Sequence, residues 1–244
     1  MFFGAPPLTG DHVLAGSALP PHRLQRRYVL ATGALSACEA WTGVPPDLVD
    51  ACRTARQSGV RISLRISNRQ MQAGTLPAQV AAALRCTGLA PGRLELEVAA
   101  SMLADCSIGT LLSLSALRDA GAGLMLGGFG IGRTCLSMLR RFPLTGMKLA
   151  RVLTRGFPVD RDDAAVLRAM IELGRALQVS VVAEGIETEE QRAYLSGMGC
   201  DEGKGGLFGP DAACGAGRSA PASGHDDFPH SRLPASRFPP SQFH

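Results

Sequence analysis

Three charged residues stand where apolar strands should end. Glu97 closes "RLELE", Lys148 lies in "GMKLA" and Glu184 closes "VVAE". A carboxylate or ammonium inside an apolar strand is costly unless it is paired or metal-bound. Together these groups could support general acid–base or metal-assisted chemistry. All five histidines lie outside residues 23–210. That removes Ser-His-Asp and Cys-His catalysis and leaves carboxylates and lysines as the chemical candidates. A second stretch, "LMLGGFGIGRT" (124–134), reads as a strand opening into a glycine-rich turn of the kind that cradles phosphates. Its spacing argues against that use. Cys135 stands where the third glycine of G-x-G-x-x-G would follow Gly130 and Gly132.

The elements that must position these groups alternate. Strands read from "VRISLRIS" (60–67), "RLELEVA" (93–99), "GLMLGG", "GMKLA" and "VSVVAEG" (179–185), with "GGLFG" as a last one. Helices read from "LPAQVAAALRCTG", "GTLLSLSALRDAG", "CLSMLRRF", "DAAVLRAMIELGRALQ" and "TEEQRAYLSGMG". In the last of these, Thr188 and Gln191 form a T-x-x-Q capping box. Strands alternating with helices call for parallel βαβ units. An open doubly wound sheet and a (β/α)₈ barrel both satisfy the pattern. In a barrel, the C-terminal strand ends converge on one face, where active sites are built.

Bulk properties bound the reading. The 244 residues are 45% hydrophobic and suit one domain with a substantial core. Residues 1–22 read as a flexible segment, 23–210 as the folded unit and 211–244 as a Pro-rich, disordered tail. A net charge of +4 is too balanced to argue for nucleic acid. The seven cysteines show no C-x-x-C and no zinc spacing, and read mostly as small buried apolar residues in a reducing compartment. No basic n-region or membrane-length apolar run is present, so a cytoplasmic protein is expected.

The motifs also carry a family resemblance. "VVAEGIETEEQ" followed by "GCDEGKGGLFGP" resembles the end of the EAL domain, the bacterial cyclic di-GMP phosphodiesterase fold. Earlier segments follow in the family's order: "TGALSACEAW" (32–41), "ISLRIS", "LELEVAAS", "LMLGGFGIGRTCLSML" and "LTGMKLAR". The resemblance implies a modified (β/α)₈ TIM-type barrel. The stretch after "EAW" is shorter than the family's, so a truncation after that strand is expected. It also implies hydrolysis of cyclic di-GMP with Mg²⁺ or Mn²⁺ held by carboxylates and an Asn.

Carried over by resemblance, the metal ligands are Glu39, Glu97 and Glu184, and the catalytic pair is Lys148 with Glu184. Glu187 is the loop-stabilising residue. Glu39, Asp201, Arg65 and Lys204 are candidates for contacting ligand. The family's Asn falls on Arg65, its aspartates on Gly127, Gly128 and Ala150, a Glu on Ala100 and a Gln on Lys204. Four negative charges are thus lost and two positive ones gained. A unit charge ~4 Å away is worth about 4 kcal/mol even at an effective dielectric of 20. Arg65 in a ligand position is therefore hard to reconcile with two metals, and it is expected to pair with Glu97 or Glu184 instead. Asn68 cannot replace the lost Asn if the strand continues, because an odd shift points to the other face. The expectation is a catalytically silent member that regulates through a protein partner such as a transcription factor, without a cofactor. Non-hydrolytic binding of cyclic di-GMP is the alternative, and residual metal-dependent hydrolysis ranks below it. The resemblance extends to a homodimer, but not to a membrane or nucleic-acid partner.

Overall fold

The computed structural model describes residues 23–41, 47–103, 107–131, 136–209 and 212–213. The expected flexible segment 1–22, most of the tail, Cys135 and all five histidines lie outside them. Nine strands form one sheet: β1 (Arg23–Val29), β2 (Leu35–Trp41), β3 (Arg61–Arg65), β4 (Leu94–Ala99), β5 (Gly123–Phe129), β6 (Gly146–Leu149), β7 (Ser180–Glu184), β8 (Glu202–Lys204) and β9 (Ala212–Ala213). The helices are α1 (Leu48–Ser58), α2 (Asn68–Gln72), α3 (Leu76–Thr87), α4 (Ala100–Leu103), α5 (Ile108–Asp119), α6 (Leu136–Arg141), α7 (Arg151–Thr154), α8 (Arg161–Leu177) and α9 (Glu189–Gly197).

Strands β2 to β8 run parallel, each bonded to the next. The ring closes through β1, which is antiparallel to β2 on one side and to β8 on the other. Ala212 and Ala213 pair with Leu24 and Arg23, so strand pairing runs three residues past the boundary read at 210. The result is the expected barrel. The shortened crossover after β2 keeps its helix, α1, and the barrel closes. Two expectations change. "GGLFG" is not a strand: Gly206–Phe208 is a 3-10 turn, and the last barrel strand is Glu202–Lys204 just before it. Asn68 does not continue β3, because Ser67 caps α2 with a complete capping box and turns the chain.

Alternation on the strands decides what faces where. In β4, Leu94, Leu96 and Val98 are fully buried against the surrounding helices, and Glu95 and Glu97 point into the barrel. The usual assignment is thereby reversed: the apolar face looks outward to the helices and the charged face inward. The helices supply the matching stripes. In α8, Leu167, Ile171 and Gly174 are buried at helical spacing. A side chain at Gly174 would collide with Val181 and Met147, so glycine lets α8 lie close on β7.

Candidate functional site

Among the described residues, five carboxylates and five cations line the barrel interior. Near its floor, Arg27 from β1 is wholly buried. Its Nη2 donates to Glu95 at 2.5 Å, its Nε lies 2.5 Å from Glu202, and its Nη1 lies 3.6 Å from Glu39. Arg61 from β3 joins the same two carboxylates, at 2.7 Å to Glu95 and through a direct bond to Glu202.

Above this floor, Lys148 from β6 is also fully buried. Its Nζ stands 2.6 Å from both Glu39 on β2 and Glu97 on β4. Lys204 from β8 bonds Glu39 and lies 3.0 Å from Glu184 Oε1 on β7. At the mouth, Arg65 reaches Glu97 at 3.3 Å. Exposure rises in the same direction, from 3% at Glu39 to 25% at Glu184 and 57% at Arg65.

The field of these cations shows in the protonation equilibria. Burial alone would raise the Glu39 carboxyl, but Lys148, Lys204 and Arg27 hold it well below the usual carboxylate range. Glu95 is lowered in the same way by Arg27 and Arg61. Burial opposes the charge on Lys204, yet Glu39 and Glu184 raise its pKa above the ordinary lysine value. Glu39, Glu95 and Lys204 are therefore charged at neutral pH.

The structure brings Glu39, Glu97, Glu184, Lys148, Arg65 and Lys204 together at the C-terminal ends of the strands. Of the two partners expected for Arg65, it takes Glu97. Glu187 lies in the loop after β7, exposed and paired with Arg151. Asp201 is not brought into the cluster. It precedes β8, and its carboxylate accepts a hydrogen bond from the Val181 backbone at 2.8 Å, at the start of β7. Arg27, Arg61, Glu95 and Glu202 were missed by sequence reasoning. For three of them a signal exists: on a strand, residues two or four apart share a face, so Glu95 accompanies Glu97, Arg61 accompanies Arg65 and Glu202 accompanies Lys204. Arg27 has no such companion in "RLQRRYV".

The glycine-rich stretch is part of this wall. Gly127 and Gly128 lie in β5, where the pairing with β6 shifts register between Leu126 and Phe129. Gly128 takes a left-handed φ of 69° there, as bulges often require. At Gly127 the barrel-facing space is already filled. A Cβ there would overlap the Glu97 carboxylate, coming within 2.9 Å of its Cδ. Gly127 thus makes room for the Glu97 side chain, and Gly128 serves the turn of the backbone.

The donor set does not suit the Mg²⁺ or Mn²⁺ that the resemblance implies. A hard dication needs about six oxygen ligands with no competing cation among them. Here Glu39, Glu97 and Glu184 each already face an ammonium or a guanidinium, and position 127 offers no side-chain donor. Among the described residues, no group of three or more His, Cys, Asp or Glu side chains is arranged to hold a metal ion.

Comparison with known proteins agrees with the geometry of the barrel. Residues 47–211 match the EAL domain family. This chain belongs to that family. It is 36% identical over 168 residues to the bifunctional diguanylate cyclase/cyclic di-GMP phosphodiesterase MucR of Pseudomonas aeruginosa, covering 66% of this chain and 24% of MucR. It is 30% identical over 200 residues to the cyclic di-GMP phosphodiesterase RocR of the same organism, covering 81% of this chain and 50% of RocR. The solved structure of the PaMucR phosphodiesterase in complex with c-di-GMP is similar with a TM-score of 0.71 and 27% identity, covering 81% of this chain and 92% of that one. The chain thus spans from about a quarter to half of the length of these two curated relatives.

Some EAL-type motif residues in this chain hold the loops in place. Gln191 is buried, and its amide nitrogen donates to the carbonyls of Thr154 and Phe157 at 3.0 and 2.9 Å. Its oxygen accepts from the backbone of Glu187 and Thr188 at 2.8 and 3.2 Å. One side chain thereby ties the loop after β7 to the one after α7. The Thr188–Gln191 capping box is formed as expected. Among the described residues, no helix is long and apolar enough to cross a membrane.

Proposed function

We propose that this EAL domain is a catalytically silent member of cyclic di-GMP signalling that works in the cytoplasm through contacts with a regulatory protein. One observation carries the reading. Each of Glu39, Glu97 and Glu184, the carboxylates that would hold metal, is held by a cation of the chain itself. Metal-assisted phosphodiester hydrolysis needs an activated water and a shield for the developing charge, both supplied by the ion. Lys148 and Lys204 can shield charge but do not generate a metal-bound nucleophile. What remains is a stable barrel with a neutralised mouth, suited to presenting its surface to another protein.

The direct test is incubation with cyclic di-GMP and Mg²⁺ or Mn²⁺, followed by chromatography for the linear dinucleotide. No product is expected. Product that disappears in Glu39→Ala would make the chain an enzyme and overturn the reading.

A second reading, a receptor that binds cyclic di-GMP without cleaving it, is favoured by Arg65. Its guanidinium is half-exposed at the mouth and its described ion pair is a single 3.3 Å contact to Glu97. Donors on the other edge are free to meet a phosphate. Calorimetry with cyclic di-GMP in the absence of metal separates the two: binding that Arg65→Ala removes selects the receptor.

A further inference from the structure

We propose that Lys204 and Arg65 are resident cations that occupy the place of a divalent metal, so that the barrel keeps a latent metal site blocked by two of its own side chains. This rests on the reading of the site as catalytically silent, and goes further by saying what silences it and how the block is lifted.

Position is the first argument. Glu39 and Glu184 come from β2 and β7, which are not neighbours in the sheet; β8 and β1 stand between them. Lys204 Nζ bonds Glu39 and lies 3.0 Å from Glu184, so one positive centre joins carboxylates from opposite sides of the seam. Joining non-adjacent carboxylates at the barrel mouth is the task a bound dication would perform. Glu97 pairs with Arg65 as well as with the deeper Lys148, and its carboxylate leans into the space above Gly127. Lys204 and Arg65 between them reach all three carboxylates, and Lys148 supports Glu39 and Glu97 from below.

Charge is the second argument. Glu39 and Lys204 are 3% and 7% exposed, too little for water to screen them. Two carboxylates drawn together in such a place require positive charge between them. Among the described residues five carboxylates face five cations, so their charges balance, and a dication added to them would leave two unbalanced charges in a low-dielectric space. Removing Lys204 and Arg65 creates a deficit of two positive charges, which one dication restores.

Chemistry is the third. Lys204 and Arg65 are long, flexible side chains reaching the carboxylates from β8 and β3. Shortening them to neutral amides frees oxygen ligands without changing any strand, and Asn and Gln are themselves oxygen donors for a hard cation.

The test compares the full-length wild type with the double variant Lys204→Gln/Arg65→Asn, by Mn²⁺ titration under electron paramagnetic resonance and by thermal unfolding with Mn²⁺ or EDTA at matched ionic strength. The wild type is expected to show no Mn²⁺-dependent change. The double variant should unfold earlier in EDTA, bind one Mn²⁺ at least about a hundredfold tighter than the wild type, and regain roughly 5 °C or more in Tm with Mn²⁺. A folded double variant whose Tm and resonance signal are indifferent to Mn²⁺ overturns the inference and leaves the silent-site reading standing. Tight Mn²⁺ binding by the wild type overturns the silent-site reading itself. If the double variant folds only with Mn²⁺ present, the inference is supported. If it folds under neither condition, Arg65→Asn alone decides: this half-exposed position tolerates truncation, and an Mn²⁺ affinity less than about tenfold above the wild type overturns the inference.

Discussion

Lys204 lies directly opposite Glu184 in the β7–β8 register, and its Nζ stands 3.0 Å from the Glu184 carboxylate. The family's pattern places a neutral Gln at this position. A lysine on the same barrel-facing position converts a neutral contact into an ion pair and reaches Glu39 as well. The charge state of the mouth is thus set by single positions whose geometry the strands fix in advance.

Lys148 is the most demanding member of this arrangement. It is wholly buried and serves Glu39 and Glu97 at 2.6 Å each. Lys148→Met keeps the length and removes the charge, leaving both carboxylates short of a partner. We expect a loss of about 3–5 kcal/mol in urea unfolding, the usual cost of breaking a buried pair from one side. A loss below about 1 kcal/mol would show that the interior adjusts without it.

Burial decides the relative weight of the arginines. Arg27→Met removes a fully buried guanidinium from Glu95 and Glu202 and should cost about 3–5 kcal/mol. Arg65→Ala removes a half-exposed one and should cost less than about 1 kcal/mol. Chemical denaturation of the two variants side by side checks the order, and an equal loss in both would contradict it.

The pH dependence has two flanks. Glu39 is held below its ordinary 4.5 by Lys148, Lys204 and Arg27 against the effect of burial, and Glu95 is lowered as well. Stabilisation from a lowered carboxyl is present above the unfolded value and is lost as pH falls through the folded one. Lys204 is raised above its ordinary 10.5 by Glu39 and Glu184, again against burial. Its stabilisation is complete below 10.5 and is lost as pH rises through the folded value. Calorimetric Tm should therefore form a plateau, falling on the acid side below about pH 4.5 and on the alkaline side above about pH 10.5. A sharp maximum near neutrality would show that other groups govern stability.

Restoring one aspartate should not restore chemistry. In Gly127→Asp the new Cβ overlaps the Glu97 carboxylate, which must give up its place beside Arg65 or Lys148. We expect about 1–3 kcal/mol of destabilisation and no cyclic di-GMP hydrolysis with Mn²⁺, read by thermal unfolding and by chromatography of the products. Turnover by this single variant would mean that the site lacked only that ligand.

The sequence pattern made strands β3 to β7, helices α3, α5, α6, α8 and α9 and the Thr188 cap legible because each is written in local periodicity or local hydrogen bonding. It did not reveal β1. "RLQRRYV" carries four polar residues in seven, and only the closed ring shows that Leu24 and Tyr28 face the core while Arg27 faces inward. At the site, Lys148 and Glu184 stood out because each is a lone charge in an apolar run, and Glu97 because it closes "RLELE". Glu95 was hidden in plain alternation with Glu97. Asp201 stands apart from the cluster, since a motif position does not say which end of a strand it occupies; the hydrogen bond from Val181 puts it at the far end from Lys204.

The floor of the barrel also orders events in time. Arg27 lies near the start of the folded unit and needs Glu95, 68 residues on, and Glu202 near its end. Arg61 reaches Glu202 across 141 residues. Contacts so distant along the chain are entropically expensive to form first. Arg27 and Arg61 share Glu95 in the middle of the chain, but their second common partner, Glu202, exists only once the last barrel strand has been made. The contact between β1 and β8 that closes the ring therefore depends on the whole of the folded unit having been synthesised.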